Sequence, residues 1–327
     1  ELATGFVIGE RYWPRLAPSA DLRGFAVTHS DPTHAPELWH GELARKGRAA
    51  TEVRWRQLTH FNALAEETLA LAPSEHVWYV GADGWRIEAL VTLPARALRS
   101  TPPPLVVNVH GGPSSAWQAD WTGGLFTQML AAHGFAVLRA NIRGSLGRGV
   151  AFADAVLGDM GGKDLEDLLS GIDDLVRRGQ VDGTRVGICG WSYGGFMVAW
   201  AISQSDRFKA AVMGAGICDY HSFHAQSNIP DWDMRFLDAE PLAQPEAYRA
   251  RSAISFAAQV KTPTLILHGE QDPSVPVNQA YAFHRALQER ATPVELAVYP
   301  REGHGFAERA HVLDLDQRVL RWFETYL

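Results

Sequence analysis

The chain has 327 residues, 46% of them hydrophobic and 20% charged, which is enough for one large domain with a smaller unit beside it. Its formal net charge of −7, without dense Lys and Arg clusters, argues against a nucleic-acid partner, and no run of 18 apolar residues predicts a membrane span. The two cysteines, Cys189 and Cys218, lack the spacing of a metal or redox motif. We therefore expect reduced core cysteines and a cytoplasmic protein.

Residues 1–58 contain short strand-like segments separated by turn residues, in the pattern of one four-stranded propeller blade. No second copy of this pattern follows, so the sequence predicts only part of a propeller. Since a blade buries its faces by stacking on neighbours, we expect a separate N-terminal fragment or another copy of the chain to cover it. Because the chain begins at Glu1 rather than Met, we also expect a processed or truncated product. The predicted blade strands are residues 6–8, 25–28, 37–43 and 53–58, and residues 59–75 are a predicted linker.

Residues 76–327 alternate β-branched runs with longer helical stretches, which predicts a mostly parallel sheet flanked by helices. A hairpin-like turn containing Asp83 and Gly84 separates the first two runs, so the sheet should begin antiparallel and then become parallel. Residues 217–260 carry many aromatics and no clear strand, which predicts a helical excursion over the sheet. The predicted strands are residues 76–80, 87–93, 105–109, 136–140, 186–189, 210–213, 264–268 and 294–299, and the clearest helices are residues 165–176, 277–290 and 311–327.

The segment ICGWSYGGF places Ser192 between Gly190 and Gly194, after a predicted strand and before an apolar helical run. This strand–turn–helix setting is that of a nucleophile elbow, where small flanking residues let strand and helix approach closely. An ordinary glycine-rich turn is the alternative. A serine hydroxyl attacks only when a base activates it, so the elbow needs a histidine and a carboxylate downstream.

The required acid and base follow in the order Ser, Asp, His. Asp272 lies just past the seventh predicted strand and His304 just past the eighth, at the strand ends where open sheets place ligands. Glu270 competes as the acid, although it lies closer to its strand, and a solvated loop histidine is the alternative for His304. The sequence therefore predicts a Ser192, Asp272 and His304 triad in an α/β-hydrolase arrangement.

Two backbone donors should stabilise the oxyanion. One is the N–H of Tyr193, the residue after the nucleophile, and the other comes from the segment HGGP after the third predicted strand. Gly111 and Gly112 permit close approach of a substrate there, unless they only form a turn. His110 is expected to be structural rather than a base.

The chain resembles the prolyl oligopeptidase family of serine peptidases, especially its acylaminoacyl-peptidase and dipeptidyl-aminopeptidase branch. The resemblance covers residues 76–327 and rests on the following segments in family-like order: VVNVHGGPSSAW, ANIRGSLGRGVAF, GDMGGKDLEDL, GWSYGGFM, VKTPTLILHGEQDPSVP and YPREGHGF. It implies an α/β-hydrolase fold with an eight-stranded, mostly parallel sheet behind part of a β-propeller. It also implies that residues 1–58 are the last blade.

The resemblance assigns roles to individual residues. Ser192 is the implied nucleophile, His304 the general base and then acid, Asp272 its orienter, and Tyr193 with Gly112 the oxyanion donors. Some relatives carry an arginine two residues after the catalytic Asp, where this chain has Ser274. The implied apolar pocket for the residue before the scissile bond consists of Ile217, Tyr220, Phe236 and Leu237.

The expected activity is cleavage of short peptides through an acyl-enzyme, as an exopeptidase or an acylaminoacyl-peptidase-like enzyme. A carboxylesterase and a carboxypeptidase-type enzyme that recognises a free C-terminus are the alternatives. Trp117, Trp121 and Trp232 are either substrate contacts or core residues. Arg143, with Arg148, either attracts a peptide carboxylate or forms a structural ion pair.

No cofactor or metal is expected. The sequence contains no P-loop, GxGxxG or HExxH motif, and His221 and His224 lack a convincing third ligand. We expect short peptides as substrates and a homo-oligomer.

Overall fold

A computed structural model describes residues 6–8, 11–13, 16–21, 23–46, 49–95, 102–121 and 125–327. An eight-stranded sheet forms the centre of the α/β part, and it is antiparallel at one end and parallel in the other five pairings. All eight predicted strands are present. They are β7 (Ser74–Val80), β8 (Arg86–Thr92), β9 (Leu105–Val109), β10 (Ala136–Asn141), β11 (Val186–Trp191), β12 (Ala210–Gly214), β13 (Thr264–Gly269) and β14 (Val294–Tyr299), in the order β14-β13-β12-β11-β9-β10-β8-β7.

Helices cover both faces of this sheet, so its parallel strands are buried as near-continuous apolar runs. One face packs against α2 (Leu125–Ala132) and α10 (Arg309–Tyr326). The other face packs against α4 (Lys163–Arg177), α5 (Tyr193–Gln204) and α9 (Asn278–Gln288), of which α4 and α9 were predicted with nearly these bounds. This three-layer arrangement is the α/β-hydrolase fold expected from the sequence.

Residues 217–260 form the predicted helical excursion: α6 (Tyr220–Gln226), α7 (Pro230–Leu237) and α8 (Pro245–Arg251), with a 3₁₀ turn at Ala253–Gln259. The buried carboxylate of Asp233 holds the three helices together. It accepts hydrogen bonds from His224 Nδ1 in α6 (2.9 Å) and from the Tyr248 hydroxyl in α8 (2.6 Å). The excursion is therefore a packed unit rather than a loose loop.

The N-terminal part forms a four-stranded antiparallel sheet of β3 (Leu16–Pro18), β4 (Gly24–Asp31), β5 (His34–Lys46) and β6 (Ala49–Gln57). One predicted strand is wrong as a member of this sheet: β1 (Phe6–Ile8) pairs with β2 (Arg11–Trp13) in a separate hairpin. The fourth strand is β3, which ends at Pro18. Proline cannot donate to a ladder, but an edge strand tolerates it, and β3 is an edge strand.

Two short helices complete the fold: α1 (Ala63–Thr68) after β6, and α3 (Val150–Asp154) after β10. Gln128 in α2 joins the four-stranded sheet to the α/β part, because its side-chain amide donates to the carbonyl oxygens of Pro32 (3.1 Å) and Ala72 (2.7 Å). Among the described residues, no helix combines the length and the apolar character that crossing a bilayer requires.

Candidate active site

Ser192 occupies the turn between β11 and α5, with a backbone φ of 63° and ψ of −121°. A non-glycine residue adopts a positive φ only at an energetic cost, and such residues cluster at functional sites. The turn is also tight, because a Cβ atom on Gly194 would clash with the carbonyl oxygen of Val109 in β9. A side chain on Gly190 would meet the backbone of Gly194 at 2.5 Å. The two glycines flanking Ser192 thus allow the elbow geometry.

Asp272 and His304 lie on the loops after β13 and β14, where they form a direct pair. Nδ1 of His304 lies 2.7 Å from Oδ2 of Asp272, while the backbone N–H groups of Ser274 and Val275 donate to Oδ1 (2.9 Å each). Burial alone would raise the pKa of Asp272, but the hydrogen bonds from His268, His304 and Val275 hold it well below its usual range. Asp272 is therefore a carboxylate at neutral pH.

The competing acid, Glu270, is exposed, and its carboxylate accepts the backbone N–H of Arg301 at 3.4 Å. The structure thus brings Asp272, and not Glu270, to His304. Ser274 stands where some relatives carry arginine, and its backbone N–H caps the Asp272 carboxylate.

Two contacts attach the loop that carries His304 to the rest of the site. The indole N–H of Trp191, the residue before Ser192, donates to the carbonyl oxygen of His304 at 2.7 Å. The backbone N–H of Gln271 donates to the carbonyl oxygen of Glu302 at 2.8 Å. The buried Glu302 carboxylate accepts two N–H groups at the start of α10 and lies 2.9 Å from His311 Nδ1. The Ser192 elbow, the loop after β13 that carries Asp272 and the loop after β14 that carries His304 are therefore joined directly.

The segment after β9 carries the predicted oxyanion glycines. His110 is buried, with Nδ1 2.7 Å from the Gly111 carbonyl oxygen and Nε2 2.8 Å from the Ser145 hydroxyl, and burial lowers its pKa. A neutral imidazole that donates to Gly111 and accepts from Ser145 fits both contacts. Gly112 has a φ of 121°, which favours glycine. A Cβ atom on Gly111 would lie 3.5 Å from Ser192 Cβ, so this segment lies against the nucleophile.

Tyr193 is the first residue of α5, so its backbone N–H has no intrahelical partner. Its side chain is fully buried, and the hydroxyl donates to Oδ2 of Asp164 at 2.6 Å. Burial raises the pKa of Asp164 to about 6, although N–H groups of Gly161 and Leu165 also donate to its carboxylate. Asp164 therefore fixes the residue whose N–H is the predicted oxyanion donor.

We expect Asp164 to make folding stability depend on pH. A carboxyl group whose pKa is raised on folding stabilises the protein fully below its unfolded pKa, near 4, and this contribution is lost as pH rises through about 6. The free energy of unfolding of the wild type should fall by roughly 3 kcal/mol between pH 4 and pH 7 relative to Asp164→Asn. Denaturant titrations of both proteins across this range measure the difference. A difference that does not change with pH would contradict the prediction.

The predicted pocket residues lie together in the excursion and next to it. All four are buried in the core on the α5 side of the sheet. Aromatic contacts link Tyr220 to Phe196 and to Trp232, and Phe236 to Trp232. Their role in binding a substrate stays a prediction. These residues are Ile217, Tyr220, Phe236 and Leu237.

Trp117 lies elsewhere, in the wall of a cavity of about 460 Å³ on the α2 and α10 side of the sheet. Its indole N–H donates to the carbonyl oxygen of Asn108 at 3.1 Å. Gly111 and Trp191 also line this cavity, so it borders the elbow from the side opposite α5.

Arg143 has the second of its two predicted arrangements, the structural ion pair. Its buried guanidinium donates to both carboxylate oxygens of the buried Asp167, at 2.8 and 2.9 Å, and to Asp83 at 3.3 Å. This bidentate geometry fixes the guanidinium between α4 and the β10 end of the sheet. Arg148 lies over the rings of Trp78 and Phe152.

Several contacts of the site have no signal in the sequence. The hydrogen bonds from Trp191 to His304 and from Trp232 to Gly112 join residues 113 and 120 positions apart. The pairing of Asp164 with Tyr193 also became visible only in three dimensions. Asp164 lies in the segment GDMGGKDLEDL, which was one of the family-like segments, and this is the only sequence clue to it.

Comparisons with known proteins agree on one family. The sequence profile of the prolyl oligopeptidase family matches residues 121–327. An uncharacterised peptidase of Bacillus subtilis, YuxL, is 33% identical over 97% of this chain and 48% of its own length. The acylamino-acid-releasing enzyme of Sus scrofa is 32% identical over 96% of this chain and 44% of its own. The chain thus spans about half the length of these curated relatives.

Solved structures give the same result. An acylaminoacyl peptidase in complex with Z-Gly-Gly-Phe-chloromethyl ketone superimposes with a TM-score of 0.87 at 29% identity, over 98% of this chain and half of that one. The acylaminoacyl peptidase of Pyrococcus horikoshii also has a TM-score of 0.87, at 28% identity and the same coverage. The similarity therefore extends from the four-stranded sheet to the last helix.

Proposed function

Because the chain belongs to the prolyl oligopeptidase family, we propose that it is a serine peptidase that cleaves short peptides through Ser192, Asp272 and His304. The observation that carries this proposal is the strained elbow of Ser192 together with the 2.7 Å bond between His304 and Asp272. A serine on an elbow, a histidine and a histidine-orienting carboxylate on neighbouring loops are the parts that acyl transfer requires.

In the proposed reaction, His304 Nε2 takes the proton of Ser192 as the serine oxygen attacks the scissile carbonyl carbon. Asp272, bonded to Nδ1, keeps the imidazole in the tautomer that leaves Nε2 free to accept, and it stabilises the imidazolium. The N–H groups of Tyr193 and Gly112 donate to the oxyanion. His304 then protonates the leaving amine, and a water molecule hydrolyses the acyl-enzyme by the same route.

We further propose that the substrates are short peptides cleaved near the N-terminus, in exopeptidase or acylaminoacyl-peptidase mode. The names of the relatives support this mode, because the Sus scrofa relative is an acylamino-acid-releasing enzyme. The carboxypeptidase-type alternative loses its main support, since Asp167 engages the guanidinium of Arg143. An esterase would use the same triad, so only an experiment can distinguish it from a peptidase.

The test is a panel of short peptides that share one sequence and differ only in their ends: free amino or acetylated, and free carboxylate or amide. We expect turnover to depend on the amino end, with an acetylated peptide cleaved after its first residue, and to change little when the carboxylate is amidated. A matched ester of the same acyl group is the control. Turnover of the ester alone would contradict the peptidase assignment, and a strict need for a free carboxylate would restore the carboxypeptidase alternative.

The domain boundaries and partners also belong to this proposal. We propose that residues 1–58 are a propeller blade, residues 59–75 a linker and residues 76–327 the catalytic domain. The exposed side chain of Leu38 in β5 supports a covering partner, which we take to be further blades on a separate fragment in a homo-oligomer. The two unpaired, buried cysteines support a cytoplasmic location.

A further inference from the structure

The carbonyl groups on both sides of the Gly112 N–H are held by side chains. His110 contacts the Gly111 carbonyl oxygen, which belongs to the same peptide unit as the Gly112 N–H. In a trans peptide the C=O and N–H point in opposite directions, so this contact sets the direction of the donor. The Gly112 carbonyl oxygen accepts the indole N–H of Trp232 at 3.0 Å. Trp232 thereby limits rotation about Gly112, which has no side chain of its own and a φ of 121°.

Trp232 is also part of the aromatic cluster that contains the predicted pocket. Its ring is stacked with Tyr220 (centroids 6.5 Å apart) and lies 5.0 Å from Phe236 and 5.8 Å from Phe223. Trp232 is only half-buried, unlike these three neighbours. A single side chain therefore contacts both the aromatic cluster and the backbone next to an oxyanion donor.

We propose that Trp232 is a positioning residue that couples filling of the aromatic pocket to the orientation of the Gly112 N–H. The inference rests on the proposed function, and it adds a residue and a form of specificity to it. A large apolar side chain before the scissile bond packs against the Trp232 ring and restricts it. The restricted indole holds the Gly112 carbonyl, and the neighbouring N–H is kept in place for the oxyanion.

This coupling has a kinetic consequence. An interaction that strengthens only when charge develops on the carbonyl oxygen raises kcat, whereas one made equally in the ground state lowers KM. Preference for large apolar residues should therefore appear mainly in kcat. This preference should depend on the indole N–H of Trp232 and not only on the size of its ring.

The experiment compares Trp232→Phe with the wild type on two acetylated p-nitroanilides, one of phenylalanine and one of glycine. Phenylalanine keeps an aromatic ring in the cluster and removes the N–H. For one neutral hydrogen bond we expect kcat on the phenylalanine substrate to fall about five- to tenfold, with KM within about twofold. On the glycine substrate, which leaves the pocket empty, we expect a loss below about twofold. Trp232→Phe should also weaken the binding of a peptide aldehyde that mimics the transition state, by about the same factor as it lowers kcat.

Trp200→Phe is the matched control. It also removes a buried indole hydrogen bond, to the Gly161 carbonyl oxygen at 2.5 Å, on the far side of the same aromatic cluster. We expect Trp200→Phe to change kcat on both substrates by the same factor. Equal losses on the two substrates for Trp232→Phe, or a change in KM alone, would overturn the proposal. If Trp232→Phe unfolds, Trp232→Leu, which also removes the N–H and keeps an apolar side chain, supplies the same comparison.

Failure of the proposed function looks different from failure of this inference. If the wild type cleaves neither these anilides nor their counterparts with a free amino end, the peptidase assignment is contradicted, and the same comparison is made with the matching aryl esters. If the wild type cleaves both and Trp232→Phe keeps the wild-type ratio of the two kcat values, only the coupling is wrong.

Discussion

Replacing Ser192 with alanine is expected to abolish covalent labelling by a fluorophosphonate and to lower kcat by about a millionfold, the loss found when the nucleophile of a serine peptidase triad is removed. The reason is that Ser192 is the proposed attacking group: it occupies the strained elbow, and its neighbour Trp191 donates to the carbonyl oxygen of His304, which attaches the loop bearing the base to that elbow. Without the Ser192 oxygen no acyl-enzyme can form.

Gel detection of the labelled protein and peptide turnover measure the two effects. Ser205→Ala is the matched control, because Ser205 directly follows the same helix, α5, and its hydroxyl accepts the N–H of Arg207 at 3.2 Å, away from the elbow. The control should label as the wild type does. Labelling or near-normal turnover of the Ser192→Ala protein would show that another residue is the nucleophile.

Sequence reasoning succeeded where a local pattern decides the structure. The strands β9 (Leu105–Val109) and β14 (Val294–Tyr299) have the predicted bounds, because each is a short apolar run bounded by turn or loop residues. The elbow at Ser192 could also be predicted from the sequence. Only glycine fits at positions 190 and 194, and the flanking runs are typical of a strand and a helix. These features need no knowledge of distant residues.

Sequence reasoning failed where distant residues or edge positions decide. Proline is typical of turns, yet Pro18 ends the strand β3. An edge strand tolerates proline because a backbone N–H that faces solvent is not needed for the ladder. Arg143 had two possible arrangements, and only the fold brings Asp167 of α4 close enough to pair with it. The contact from Trp232 to Gly112 depends on how the helical excursion lies over the sheet, which periodicity does not encode.

Replacing Asp272 with asparagine is expected to lower kcat by about ten-thousandfold, the loss that this change causes in a serine protease triad. An amide next to His304 Nδ1 donates instead of accepting, so the imidazole takes the tautomer that cannot deprotonate Ser192. Because the pKa of Asp272 is held well below its usual range, the wild-type carboxylate is ionised at every pH above about 5. Titration of Asp272 itself therefore makes no contribution to the pH dependence of the wild-type kcat between about pH 6 and pH 8.

The variant Glu270→Gln tests whether Glu270, the competing acid in the same loop, acts in place of Asp272. The Glu270 carboxylate is exposed and accepts only a 3.4 Å bond from the Arg301 N–H in the described structure, so we expect a change in kcat below about threefold. Both variants keep the size of the side chain, and equal thermal midpoints would show that the comparison reports on chemistry. A large loss in Glu270→Gln with a small one in Asp272→Asn would reverse the assignment. Asp272 is the stronger candidate because two backbone N–H groups hold Oδ1 and leave Oδ2 facing the imidazole.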